Sequence, residues 1–149
     1  MGSAFYACRK LKEIDFTKWK DLSNHTLTWT LVNGTSHFNY FASYSYSLRK
    51  VNISNINVSN ITVGNYGSNA TSYSNFMECY NLEELVLPAT FAGHLNIRYD
   101  YTLTRNEIVR IFNTLPTALE GAKIVITEMR YKLTNADIAI ATNKGYTVT

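Results

Sequence analysis

From Cys8 onward the chain spaces its apolar positions in a fixed way: a small or thiol residue, two residues, Leu, two residues, an aliphatic, one residue, then an aliphatic or aromatic. Cys8, Leu11, Ile14 and Phe16 set the pattern, Ser45, Leu48, Val51 and Ile53 repeat it 37 residues later, and Cys79, Leu82, Leu85 and Leu87 follow after another 34. The last two positions of each copy alternate with period two, as a short strand with one buried face requires. A recurring unit of this length predicts stacked coils, each laying its strand beside the previous one in a parallel sheet. The equivalent apolar residues then form three buried columns. Two further β-like stretches, 26–32 and 56–63, fall in the long intervals between copies.

The last third of the chain repeats differently. Leu103-Thr104 leads to Glu107-Ile108, and Leu133-Thr134 leads to Asp137-Ile138, 30 residues on. A Thr followed three residues later by a carboxylate satisfies the unpaired backbone donors at a helix start. Ile108, Ile111, Phe112 and Leu115 continue at helical spacing until Pro116, and Ile138 and Ala141 do so until Lys144-Gly145. Each predicted helix leads to a strand candidate, Lys123 to Thr127 and Tyr146 to Val148. The expected fold is therefore an α/β solenoid with a parallel β-sheet, β-rich in its N-terminal two-thirds and closed by helix-strand coils. It forms one domain over residues 1–149, with copies near 4–16, 41–53 and 75–87 and closing coils at 103–127 and 133–148.

Composition changes this picture mainly through what it excludes. A formal charge of +3 is too small and too scattered for a nucleic-acid track, and no stretch approaches the ~20 apolar residues of a membrane span. The first residues lack the apolar run of a signal peptide, so export by the chain's own N-terminus is not expected. Cys8 and Cys79 sit on equivalent rungs two coils apart, about 10 Å, beyond the ~7 Å limit for a disulfide, and are read as buried structural thiols. No Cys or His pair has metal-ligand spacing. His25, His37 and His94 stand without a nucleophile motif, Glu107 and Asp137 are read as helix caps, and Glu83 and Glu84 as a solvated face. No catalytic residue, metal site or cofactor is expected.

Between Leu22 and Met77 only Arg49 and Lys50 are charged, and the segment is rich in Ser, Thr, Asn and Tyr. Tyr40, Tyr44, Tyr46, Tyr66 and Tyr73 lie in it. Tyrosine among small polar residues is the composition of binding loops, since the rigid ring supplies contact area at low entropic cost. Two readings of these five stay open: a contact surface, or packing between coils.

The residues resemble the BspA-like leucine-rich repeats of bacterial surface proteins and phage-encoded proteins. The resemblance rests on Met1, Phe5, Cys8, Leu11, Ile14 and Phe16, on the copy from Phe76 to Leu87, and on the ending from Leu133 to Val148; it is poor at 64–75 and 91–101, and the middle copy has Ser45 for Cys and no phenylalanine in register. It implies a leucine-rich-repeat-like solenoid. Aligned this way, Met1 falls inside a repeat, so a larger parent protein or a virion partner is expected to cover the first coil. The expected function is a non-enzymatic recognition or adhesion module of a phage virion protein or bacterial surface protein, binding a host-surface protein or glycan at the virion or cell surface. The alternative is a capsid- or tail-associated structural protein docking through its open N-terminal coil.

Overall fold

Alternation around Ile14, Val51 and Leu85 builds three short strands in the computed structural model, which describes residues 4–17, 40–56, 58 and 75–149. These are β1 (Glu13–Asp15), β2 (Lys50–Asn52) and β3 (Glu84–Val86), each with its central residue buried. They pair in parallel in the order β1-β2-β3, with Ile14 opposite Val51 and Val51 opposite Leu85, the register the repeat spacing predicts. Side chains directly across a ladder support one another, and here Arg49 pairs with Glu83 and Lys50 with Glu84 on the solvent side. The column beneath, Leu48, Leu82 and Leu103, is fully buried, with Leu11 partly buried at its end.

The turn before each strand repeats as closely as the strand. The amide of the repeat Leu donates to the carbonyl of the residue three before it at Leu11, Leu48, Leu82 and Leu103 alike. The fourth of these turns, Asp100-Tyr101-Thr102-Leu103, is a copy that the spacing did not reveal, because it follows Cys79-Tyr80-Asn81-Leu82 after only 21 residues. Ser45 Oγ accepts from the Cys8 amide at 3.1 Å and donates to the Phe5 carbonyl at 2.7 Å, while Asp100 Oδ1 accepts from the Cys79 amide at 2.8 Å. Ser45 and Asp100 thus each tie their turn to the one before it.

The expected single sheet is instead two. Strands β4 (Leu95–Asn96), β5 (Lys123–Val125) and β6 (Thr147–Val148) form a second parallel sheet in that order. Where a fourth strand would extend the first sheet, the chain turns into α1 (Arg105–Thr114). Glu107 Oε1 accepts from the Leu85 amide at 2.9 Å, and Arg110 donates to the Leu85 carbonyl at 2.9 Å. Two side chains of α1 thereby bond the β3 edge as a neighbouring strand would. The second sheet continues a different row of backbone bonds, Phe5 to Phe41, Ala42 to Asn75, Phe76 to Asn96 and Ile97 to Val125, which links successive turn segments.

Helix α1 buries Ile108, Ile111 and Phe112, as its spacing predicts, and ends at Leu115 ahead of Pro116. Helix α2 (Asn135–Thr142) carries a complete capping box between Thr134 and Asp137. At α1 the box is half formed: Thr104 accepts from the Glu107 amide, but the Glu107 carboxylate serves β3 and Arg110 rather than the helix start. That corrects its expected capping role. Gly145, at φ 94°, closes α2, and a side chain there would be strained by that backbone. Lys144 reaches back to donate to the carbonyls of Phe112, Asn113 and Leu115, capping the C-terminal end of α1 with a cation. The strand predicted to run to Thr127 stops at Val125, and Thr127–Lys132 forms a 3-10 helix around buried Met129.

Two expectations about the N-terminal core need adjusting. Phe41 stands one residue out of register, yet its ring lies 5.3 Å from Phe5 and 5.9 Å from Phe76, completing an aromatic column. Both cysteines are free, and Cys79 is fully buried, but Cys8 is only half-buried. The predicted stretch 26–32 lies outside the described residues, as does most of 56–63, of which Ile56 and Val58 are described and buried.

Candidate functional site

The turn repeat places a side chain outward two residues before each conserved-spacing Leu. At that position stand Arg9, Tyr46, Tyr80 and Tyr101. Their side chains form one file: the Arg9 guanidinium lies 5.5 Å over Tyr46, Tyr46 stacks on Tyr80 at 5.1 Å and 8°, and Tyr80 on Tyr101 at 6.3 Å and 17°. The repeated turns set these rings side by side. Stacked aromatics at such distances favour one another beyond their area burial. Tyr80 and Tyr101 remain 38% and 48% exposed, so the file forms an outer face rather than core.

A second file runs beside it, two residues earlier in each turn: Ala7, Tyr44, Glu78 and Tyr99. All four have left-handed backbone, with φ of 53°, 63°, 63° and 67°. This conformation costs a non-glycine residue about 1–2 kcal/mol, and the surrounding turn bonds hold it. Tyr6 meets Tyr44 and Tyr40 edge-on at 5.4 and 5.7 Å. At the other end Tyr99 tilts against Tyr101 at 6.1 Å, and the Arg98 guanidinium, held by Glu128 at 2.8 Å, lies 4.5 Å over the Tyr99 ring.

Between the files opens a cleft of about 340 Å³ lined by Glu78, Tyr80, Tyr99 and Tyr101. Glu78 stands where its neighbours in the file carry tyrosine, and the shorter side chain leaves the notch. Tyr80 donates to Glu78 Oε2 at 2.7 Å; this bond to the carboxylate, with burial adding to it, pushes the phenol up to about 12. Burial first and the Glu78 charge second also raise Tyr44. Tyr44 and Tyr80 are therefore held as neutral phenols across the physiological range.

Of the five tyrosines singled out in the sequence, the structure brings Tyr46 into the stacked file and Tyr40 and Tyr44 into the edge-on cluster at its flank. Tyr66 and Tyr73 lie outside the described residues. Tyr6, Tyr80, Tyr99 and Tyr101 complete the face and were missed. For Tyr80 a signal was present, a tyrosine two residues before the repeat Leu as at Tyr46; Tyr101 repeats it in the turn that the spacing did not reveal.

The remaining titratable groups have structural placements. Arg105 and the capping bonds of Thr134 hold Asp137 down at about 2. Burial alone would raise Glu107, but Arg110 and the Leu85 amide outweigh it and keep the carboxyl below its ordinary value. Burial, with Lys123 nearby, pushes His94 down to about 4, and its Nδ1 accepts from the Lys123 amide at 3.0 Å. Burial likewise pushes the Cys79 thiol well up, as expected of an inert core thiol. Among the described residues no group of three or more His, Cys, Asp or Glu is placed to hold a metal ion, and no helix is long and apolar enough to cross a membrane.

Set against protein-family models, curated proteins and solved structures, the chain matches none of them.

Proposed function

We propose that this chain is a leucine-rich-repeat-like solenoid of the BspA-like kind that works as a non-enzymatic recognition module, with the tyrosine face as its contact surface. The observation that carries the reading is the file of stacked rings Tyr46, Tyr80 and Tyr101, the first half-buried and the other two exposed, held in line by the coil spacing. Large rings locked by packing are the side chains that dominate binding surfaces, because they bury area while losing little rotamer freedom. The parallel strands in repeat register, the repeated turn bonds and the helix-strand end support the solenoid part of the proposal. A phage virion or bacterial surface setting, with a host-surface protein or glycan as ligand, follows from the sequence resemblance.

The test is a glycan array together with capture from host envelope extracts, using the wild-type chain and a Tyr46→Ala/Tyr80→Ala/Tyr101→Ala variant with an unchanged circular dichroism spectrum. Retention of a ligand by the wild type, weakened about tenfold or more in the variant, is expected. Retention that the variant leaves intact would overturn the assignment of this face. In the alternative, a structural protein docking through the coil at 4–16, the retained molecule is another virion component, and Leu11→Asp rather than the tyrosine substitutions abolishes its capture.

A further inference from the structure

The cleft at Glu78 combines three features. Its walls are tyrosine: Tyr80 and Tyr101 from one file, Tyr99 from the other, the last inclined at 63° to Tyr101 so that the rings bound a corner rather than a flat platform. Its floor carries a carboxylate. Among the described ion pairs, none involves Glu78; its one described hydrogen bond comes from the Tyr80 hydroxyl. The cations nearby are engaged elsewhere, Arg98 with Glu128 and Lys132 with the carbonyls of Tyr101 and Leu103. The same aromatic face already holds guanidinium groups at both ends, Arg9 over Tyr46 and Arg98 over Tyr99.

Ring faces carry negative potential that attracts cations, most strongly when the cation is weakly hydrated. A carboxylate within such a corner adds a full charge where water is partly displaced. From these observations we infer that the Glu78 cleft is a cation cage, selective for a compact alkylammonium group such as the trimethylammonium of choline or of a methylated lysine side chain. This deepens the recognition reading and rests on it, by giving that face a ligand chemistry. Tyr80 and Tyr101 supply the stacked wall, Tyr99 the inclined one, and Glu78 the counter-charge. Glu78, the carboxylate in the lining, gives the cleft its selectivity for charge over shape.

The test follows the tyrosine ring resonances of the whole chain by NMR at constant ionic strength. The probes are choline chloride, an acetylated and amidated trimethyl-lysine, and the neutral isostere of choline in which a tert-butyl group replaces the trimethylammonium. Saturable shifts at Tyr80, Tyr99 and Tyr101 are expected with both cations, and the isostere should bind about tenfold more weakly. Tighter binding of choline identifies a free or headgroup ammonium as the source, and tighter binding of the lysine derivative a protein side chain. Glu78→Gln, which keeps the size and the Tyr80 partner, should weaken both cations about tenfold at unchanged melting temperature. Equal binding of choline and its isostere, no saturable shift, or an unaffected Glu78→Gln variant would overturn the cage. If the cage fails while the tyrosine substitutions still abolish glycan or protein capture, the recognition reading survives without it; if that capture is also unaffected, both fall.

Discussion

Asp100 fills the rung that Ser45 and Cys79 occupy in other turns, and its carboxyl is fully buried. Burial pushes its pKa well above the ordinary value; the Cys79 amide pulls the other way, and the Glu78 charge reinforces the rise. Its folded pKa is raised, so the stability it contributes is complete below about pH 4, the unfolded value, and is lost as the pH climbs toward the folded one. Asp100→Asn keeps the acceptor for the Cys79 amide and removes the charge. Relative to wild type, its urea midpoint should be higher at pH 7 and level or lower at pH 4, and a difference between the two proteins that does not change with pH would refute this account. The sequence could not flag this residue. Its copy of the turn arrives after a shortened interval and with an acid where the pattern asks for a thiol or hydroxyl. The tyrosines show a related gap: Tyr46 was picked from the neutral composition around it, Tyr80 lies beyond that segment and was reachable only by counting back from the repeat Leu, and Tyr101 sits in the turn whose shortened interval hid it.

At the scale of the element, the sequence was read most accurately where the period was clean. The three strands β1 to β3 and their register follow from Leu, aliphatic and aromatic positions that have no other way to be buried together. Both helices follow from Thr-x-x-carboxylate starts and apolar spacing. The division into two sheets did not follow, because it depends on where Glu107 points. A carboxylate three residues after a Thr has two uses, and here it bonds a strand edge. With its guanidinium partner it satisfies a backbone donor and acceptor that would otherwise face the helix unpaired, so its loss costs more than an ordinary surface ion pair. Glu107→Ala is expected to destabilise the fold by about 1–3 kcal/mol and to speed exchange of the Leu85 amide ahead of its neighbours in β3. Unchanged protection at Leu85 would mean that the edge is held by other contacts.

Among the described elements, contacts run between neighbours: β1 with β2, β2 with β3, β3 with α1, α1 with α2, α2 with β6 and β4 with β5 with β6. In the proposed stack of repeats, stability is a sum of local units and the interfaces between them, so damage spreads to adjacent units first. Leu48, fully buried in the second turn, tests this. Leu48→Ala should cost about 2–5 kcal/mol, with hydrogen exchange accelerating most at Ile14, Asp15 and Val51 and least at the Ile126 and Thr149 amides. Uniform acceleration along the chain would point to one all-or-none unit instead. The sequence conveys this modular plan through its offsets, but not the outer face, since core spacing constrains only the residues that turn inward.

The left-handed residues Ala7, Tyr44, Glu78 and Tyr99 share one position in four equivalent turns, and the tyrosine file sits two residues further on. Glycine is the residue this backbone suits best, yet none of the four is glycine. The chain tolerates the strain and keeps side chains there. Because these positions anchor the turns through their backbone amides, and the side chains that help are the Ser, Cys or Asp of each turn, what projects at these two positions is separate from what holds the turns together. They behave as a writable margin: exchanging their letters alters what the surface says to a ligand while leaving the scaffold's own text untouched.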